Sequence, residues 1–101
     1  ATTHLAGENT VLYGSETATD FTGIVLRLSN VIGAPVHKNV NCWMLVVNDL
    51  CRQAMTTRRM IVKSNGKQIR DFVSMQSVCN YVDMILVASS INSLPSVINV
   101  G

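Results

Sequence analysis

Three residues of this 101-residue chain carry side chains able to do chemistry: Arg70 a guanidinium, Asn30 a carboxamide and His4 an imidazole. A guanidinium presents a rigid fork of donors that matches phosphate oxygens, and such hydrogen bonds are charge-assisted. The competing reading of Arg70 is a surface pair with an acid such as its neighbour Asp71, which contributes only about 0–1 kcal/mol. Asn30 can both donate and accept hydrogen bonds; the alternative is a turn residue closing a strand. His4 supplies a positive field only when protonated, and otherwise reads as an exposed residue at the start of a helix. Tyr13 reads as a packing residue. Cys42, Cys51 and Cys79 show no Cys-x-x-Cys spacing, and neither His4 nor His37 lies at ligand spacing to a cysteine. They read as buried, reduced thiols of a cytoplasmic protein, with no metal site.

These groups need elements to position them. A helix capped by Thr2 or Thr3 is expected to run to about Glu16, with Leu5, Val11 and Leu12 near one face. Ile24–Leu28 is a short β-branched run suited to a buried strand, and its single charge, Arg27, is expected to seek a partner. Ser29-Asn30, Gly33 and Pro35 break regular structure. Apolar residues at helical spacing predict a helix over about Asn41–Met55, with Trp43 in the core. Arg59–Val62 and Ile69–Val73 are expected to pair as a hairpin around the Asn65-Gly66 turn signal. A helix from about Gln76 to Ala88 follows, capped by Ser74 or Ser77, with Val78, Val82, Ile85 and Leu86 turned inward. Val97–Val100 is the last strand. The strands near Ile24 and Val97 look like members of one parallel sheet. Two such strands alone would leave large apolar faces open.

Composition narrows the function. Apolar residues make up 48% of the chain, enough for a core, and the net charge is only +2 with scattered basic residues. Nucleic-acid binding wants a basic face, so it is disfavoured. No apolar run approaches the length that crosses a bilayer, and residues 1–20 have no apolar leader core. The chain begins without Met, already in helical pattern, and reads as a piece of a larger protein.

Four segments in order resemble the extended short-chain dehydrogenase/reductase family, the NAD-dependent nucleotide-sugar epimerases and dehydratases. His4-Leu5-Ala6-Gly7-Glu8 resembles the Lys-Leu-x-x-Glu that follows the family's catalytic Tyr-x-x-x-Lys. Val25-Leu26-Arg27-Leu28-Ser29-Asn30-Val31-Ile32-Gly33 resembles its Leu-Arg-x-x-Asn-Val-x-Gly strand and loop. Gly66-Lys67-Gln68-Ile69-Arg70-Asp71-Phe72-Val73 resembles its Gly-x-x-x-Arg-Asp-Phe hairpin. Ile98-Asn99-Val100-Gly101 resembles its late Tyr-Asn-x-Gly strand.

The resemblance implies an α/β fold, the C-terminal part of a Rossmann-like epimerase/dehydratase. Residues 36–75 would form the substrate-binding part, and 1–35 with 76–101 a remnant of the cofactor-domain sheet and helices. It implies NAD or NADP in the intact parent and none bound by these residues alone. It implies a nucleoside-diphosphate sugar as substrate, held by Asn30 and Arg70, with His4, Leu28 and Ser29 on the cofactor side. His4 stands where the family has the Lys that lowers the pKa of the catalytic Tyr. The Gly-rich dinucleotide loop and the catalytic Tyr would lie before Ala1, so the chain alone is expected to be inactive and to form homo-oligomers. The alternatives are a reductase on another substrate class, or a non-catalytic relative that binds nucleotide-sugar or NAD(P).

Overall fold

The structure, a computed structural model, describes residues 2–88 and 90–101. Its first helix, α1, spans Thr2–Thr17. Strand β1, Val25–Leu28, is followed after Ser29 by a second strand, β2, Asn30–Ile32. Helix α2 covers Val46–Thr57 and strand β3 Phe72–Ser74. Helix α3 runs Met75–Leu86, and after a single 3-10 turn at Ile91–Ser93 strand β4, Val97–Val100, ends the order.

Two small parallel sheets result. β1 pairs with β4, Val25 opposite Val97 and Leu28 opposite Val100, as the β-branched runs at both positions predict. β2 pairs with β3, Asn30 opposite Phe72 and Ile32 opposite Ser74. Ser29 is the hinge between them: its amide donates to the Val100 carbonyl at 2.9 Å, while the next amide, of Asn30, donates to the Asp71 carbonyl at 3.2 Å. The chain therefore steps from one sheet to the other in a single residue.

α1 lies antiparallel to β1. Near its end the Ser15 hydroxyl accepts from the Gly23 amide at 2.9 Å, just before β1 begins. Further back along the helix Glu8 takes two guanidinium nitrogens of Arg27, at 2.7 and 3.0 Å, near the end of β1. Arg27 thus has the partner its lone charge demanded. The approach is close at Gly23, where a β-carbon would meet Val11 Cγ1 at 2.6 Å and the Val11 carbonyl at 2.9 Å. Only glycine lets the helix sit there.

Several expectations are corrected. The predicted hairpin does not form. The Asn65-Gly66 turn itself exists, with Gly66 at φ 69° and the Asn65 side chain accepting from the Lys67 amide at 3.1 Å. Its flanks stay unpaired: Met60, Ile61, Val62 and Ile69 are exposed, and a lone two-stranded ribbon with no face to pack on is marginal. Instead the Ile61 amide donates to the Gln53 side chain at 2.7 Å, and Phe72–Ser74 is drawn into parallel pairing with β2. α2 starts five residues later than predicted, because Cys42–Leu45 closes its own turn and Leu45 enters the helix extended. The helix stops where Arg58 adopts a left-handed conformation, φ 54°. Asn30 does not break regular structure but begins a strand.

The core is thin. Val73 and Val100 are the buried apolar residues among those described, one in each sheet. Tyr13, read as packing, is exposed, as is Leu86 on α3, and Trp43 is half-buried rather than core. The cysteines are not buried thiols either: Cys51 and Cys79 are exposed and Cys42 half-buried. The physical reason is shared. With two strands per sheet, each helix has little to lie on, so the inward faces stay partly open. The accessible surface is 8336 Å², against about 5,600 Å² for a compact monomer of this mass. The radius of gyration, 17.6 Å, likewise exceeds the ~13 Å of a compact chain this long. No helix among the described residues is long and apolar enough to cross a membrane.

Candidate functional site

Parallel strands gather ligand groups at their carboxyl ends, where the loops diverge. Here β1 and β4 end side by side at Leu28 and Val100. Ser29 and Asn30 continue from the first, Gly101 from the second. The segment Arg70-Asp71 reaches the same place from the opposite half of the chain, because β2 and β3 pair from Asn30 and Phe72 onward. The Asn30 carboxamide donates to the Asp71 carbonyl at 2.9 Å, beside the bond that its own backbone amide makes to the same oxygen. Two predicted site residues far apart in sequence, Asn30 and Arg70, are therefore brought to neighbouring backbone positions. The carboxamide oxygen of Asn30 stays available at this exposed position.

Arg70 is exposed, in an irregular segment rather than the predicted hairpin, and donates to Gln68 Oε1 at 2.7 Å. It does not pair with Asp71; that carboxylate accepts from the Phe72 amide at 3.0 Å. A guanidinium held by one neutral amide keeps most of its donors for an anion. Leu28 is exposed at the end of β1. Ser29 is half-buried, and its hydroxyl is buried without a hydrogen-bond partner among the described residues. A buried, unpartnered hydroxyl costs about 1–3 kcal/mol.

His4 belongs to the same end. Glu8 already sits beside Arg27 near the carboxyl end of β1, and His4 lies one turn further along α1, about 6 Å on. The Arg27–Glu8 pair thus sets the helix position on which His4 depends. The hydrogen bond from Arg27, reinforced by its charge, holds the Glu8 carboxyl below the ordinary carboxylate range, and the Arg27 guanidinium is correspondingly raised.

An open apolar cleft of about 630 Å³ lies at the far end of β2 and β3. Ile32, Gly33 and Pro35 form one wall and the face of α2 with Cys51 and Met55 another; Trp43 and Ser74 contribute as well. The Arg52 guanidinium stacks over the Trp43 ring, 5.0 Å from its centre, and pairs with Asp49 at 2.8 Å. Asp49 is held below its ordinary range by hydrogen bonds from Gln53 and then from Arg52. Sequence reasoning missed Arg52 and the cleft. The signal available was the spacing of Asp49, Arg52 and Gln53 on one helical face, which says nothing of what faces it.

Toward a dinucleotide the chain offers at this end the exposed imidazole of His4, while the Ser29 hydroxyl is enclosed. The chain contains no Gly-x-x-Gly-x-x-Gly that could cradle a dinucleotide's diphosphate, and no Tyr-x-x-x-Lys. No group of three or more His, Cys, Asp or Glu placed to hold a metal ion occurs among the described residues.

No curated protein sequence and no solved structure matches the chain. The sequence model of one family does, and it spans residues 1–101. Four motifs in family order, parallel strands in a mixed α/β arrangement, and polar groups converging at the strand ends agree with that match. The chain belongs to the NAD-dependent epimerase/dehydratase family.

Proposed function

We propose that these residues form the substrate side of an NAD(P)-dependent epimerase or dehydratase acting on a nucleoside-diphosphate sugar. One observation carries the reading: both nitrogens of Asn30 bond the Asp71 carbonyl, which sets Arg70 beside Asn30 at the carboxyl ends of β1 and β4. In this reading Arg70 clamps the diphosphate, and Asn30 turns its carboxamide oxygen to a sugar hydroxyl. The nucleoside extends past β2 and β3 toward the cleft beside Trp43. Leu28, Ser29 and His4 border the nicotinamide ribose. The cofactor would supply hydride acceptance and return when bound; these residues would orient the two ligands. With neither a Gly-rich loop nor a Tyr-x-x-x-Lys among them, the 101 residues alone do not turn substrate over. Residues 36–75 form the substrate part, and the flanking stretches belong to the cofactor sheet.

The test is calorimetry of the chain with UDP and dTDP. Saturable heat whose affinity Arg70→Ala weakens supports the reading; no heat with either nucleotide rejects it. The excess of accessible surface supports a homo-oligomer, and a clean monomer by light scattering contradicts that part.

A second reading, a non-catalytic nucleotide-sugar-binding relative, is favoured by His4 at the position of the family Lys. The two part at hydride transfer. The measurement joins these residues to the cofactor-binding half of a family enzyme and follows NADH absorbance. Reduction supports the enzyme, and nucleotide binding without reduction supports the relative.

A further inference from the structure

Asp71 sits where an acid is costly. It adjoins Arg70, whose proposed ligand is an anion, and like charges a few ångströms apart repel. The structure turns its carboxylate away. A β-carbon built at Gly101 would fall on Asp71 Oδ2, and would lie 3.2 Å from Cβ of Ser29. The carboxylate therefore occupies the space that Gly101 leaves by having no side chain, between the ends of β4 and β1. Oδ1 is taken by the Phe72 amide at 3.0 Å, and the backbone carbonyl of the same residue takes both Asn30 donors. Side chain and main chain of Asp71 are thus fixed at once, one against Gly101 and one against Asn30.

We propose that Asp71 is a positioning residue, and that Gly101 forms the seat which keeps its carboxylate away from Arg70. The proposal rests on the reading of Arg70 as the diphosphate clamp. A seated carboxylate leaves the guanidinium to the ligand. An unseated one swings out and becomes an internal competitor for the same guanidinium, in the place a phosphate oxygen would take. The seat also links the two half-sites, since Ser29 on the cofactor side and Arg70 on the substrate side meet across Gly101 and Asp71.

Gly101→Ala tests this, because its methyl meets first the end of the short Asp71 side chain, with Ser29 Cβ next at 3.2 Å and no backbone atom among its nearest neighbours. The expected result is about tenfold weaker UDP binding by the full chain, with the helical circular-dichroism signal unchanged. Asp71→Asn added to Gly101→Ala restores most of the affinity, because a displaced neutral amide does not compete for the guanidinium. A merely structural role predicts the reverse, with the second substitution adding to the loss. Affinity unchanged by Gly101→Ala, or not recovered in the double variant, overturns the proposal. Hydrogen exchange of the Phe72 amide gives a readout without ligand: Gly101→Ala accelerates it if the seat holds Asp71, and an unchanged rate overturns the proposal whatever the nucleotide does. Absence of UDP binding by the unsubstituted chain, together with accelerated Phe72 exchange in Gly101→Ala, would sink the diphosphate reading and leave the seat standing.

Discussion

Asn30 gives both of its nitrogens to one oxygen, the carbonyl of Asp71, at 2.9 Å from the side chain and 3.2 Å from the backbone. A carbonyl has two lone pairs, so both bonds are satisfied together. This bond pair ties the two halves of the site. Asn30→Ala keeps the backbone bond and loses the other; the expected cost is about 1 kcal/mol by chemical denaturation. Asn30→Asp should cost more, because a carboxylate then faces a carbonyl with no donor between them. Equal stability of the two variants would contradict this geometry.

Arg70→Ala removes the charged donors proposed for the diphosphate. Charge-assisted bonds contribute about 1.5–3 kcal/mol, so UDP affinity should fall roughly 10- to 100-fold in calorimetry. Arg70→Lys should recover part of that loss, keeping the charge without the fork. The unfolding midpoint should move little in either variant, since Arg70 is exposed.

Gly23→Ala meets backbone as well as side chain, the Val11 carbonyl at 2.9 Å and Val11 Cγ1 at 2.6 Å. The backbone cannot give way as a side chain can, so α1 must shift off β1. The expected loss is about 1–3 kcal/mol, with α1 amides losing hydrogen-exchange protection before those of α3. Uniform loss across both helices would speak against a local cause.

Ser29→Ala removes a buried hydroxyl without a partner among the described residues. The ligand-free chain should gain about 1 kcal/mol, read as a raised melting midpoint. A lowered midpoint would show that the hydroxyl is bonded in solution.

Glu8 is the pH-sensitive contact. Its folded pKa is lowered, chiefly by the hydrogen bond from Arg27. The stability it lends is therefore fully present above the ordinary carboxylate pKa, about 4.3, and is lost as pH falls through the lowered folded value. The melting difference between the unsubstituted chain and Glu8→Gln should be small but measurable at pH 7, shrink in high salt, and close under acid. A difference that grows on acidification would reverse the sign argued here.

The elements most legible in the sequence were those whose signal is local. α3 follows a capping serine, Ser74, whose hydroxyl accepts from the Ser77 amide at 3.0 Å. β1 and β4 were written in β-branched runs, and the lone Arg27 announced a partner. The hairpin failed because its turn signal was genuine but its flanks had nothing to lie against. β3 instead obeyed a long-range preference that no window of residues reveals. The family motifs pointed to Asn30 and Arg70, but not to the way one carbonyl joins them. Gly101 was visible only as part of a motif, because the reason for it is a carboxylate thirty residues back.

Both sheets unite segments from opposite halves of the chain, each in parallel, with no tight turn to bring the strands together. Closing such loops costs chain entropy before any pairing rewards it. The three helices can form from neighbouring residues; the strand ends cannot. On refolding, helical ellipticity should return first and the proposed capacity to hold a nucleotide last, which would make that grip the slowest property this polypeptide acquires.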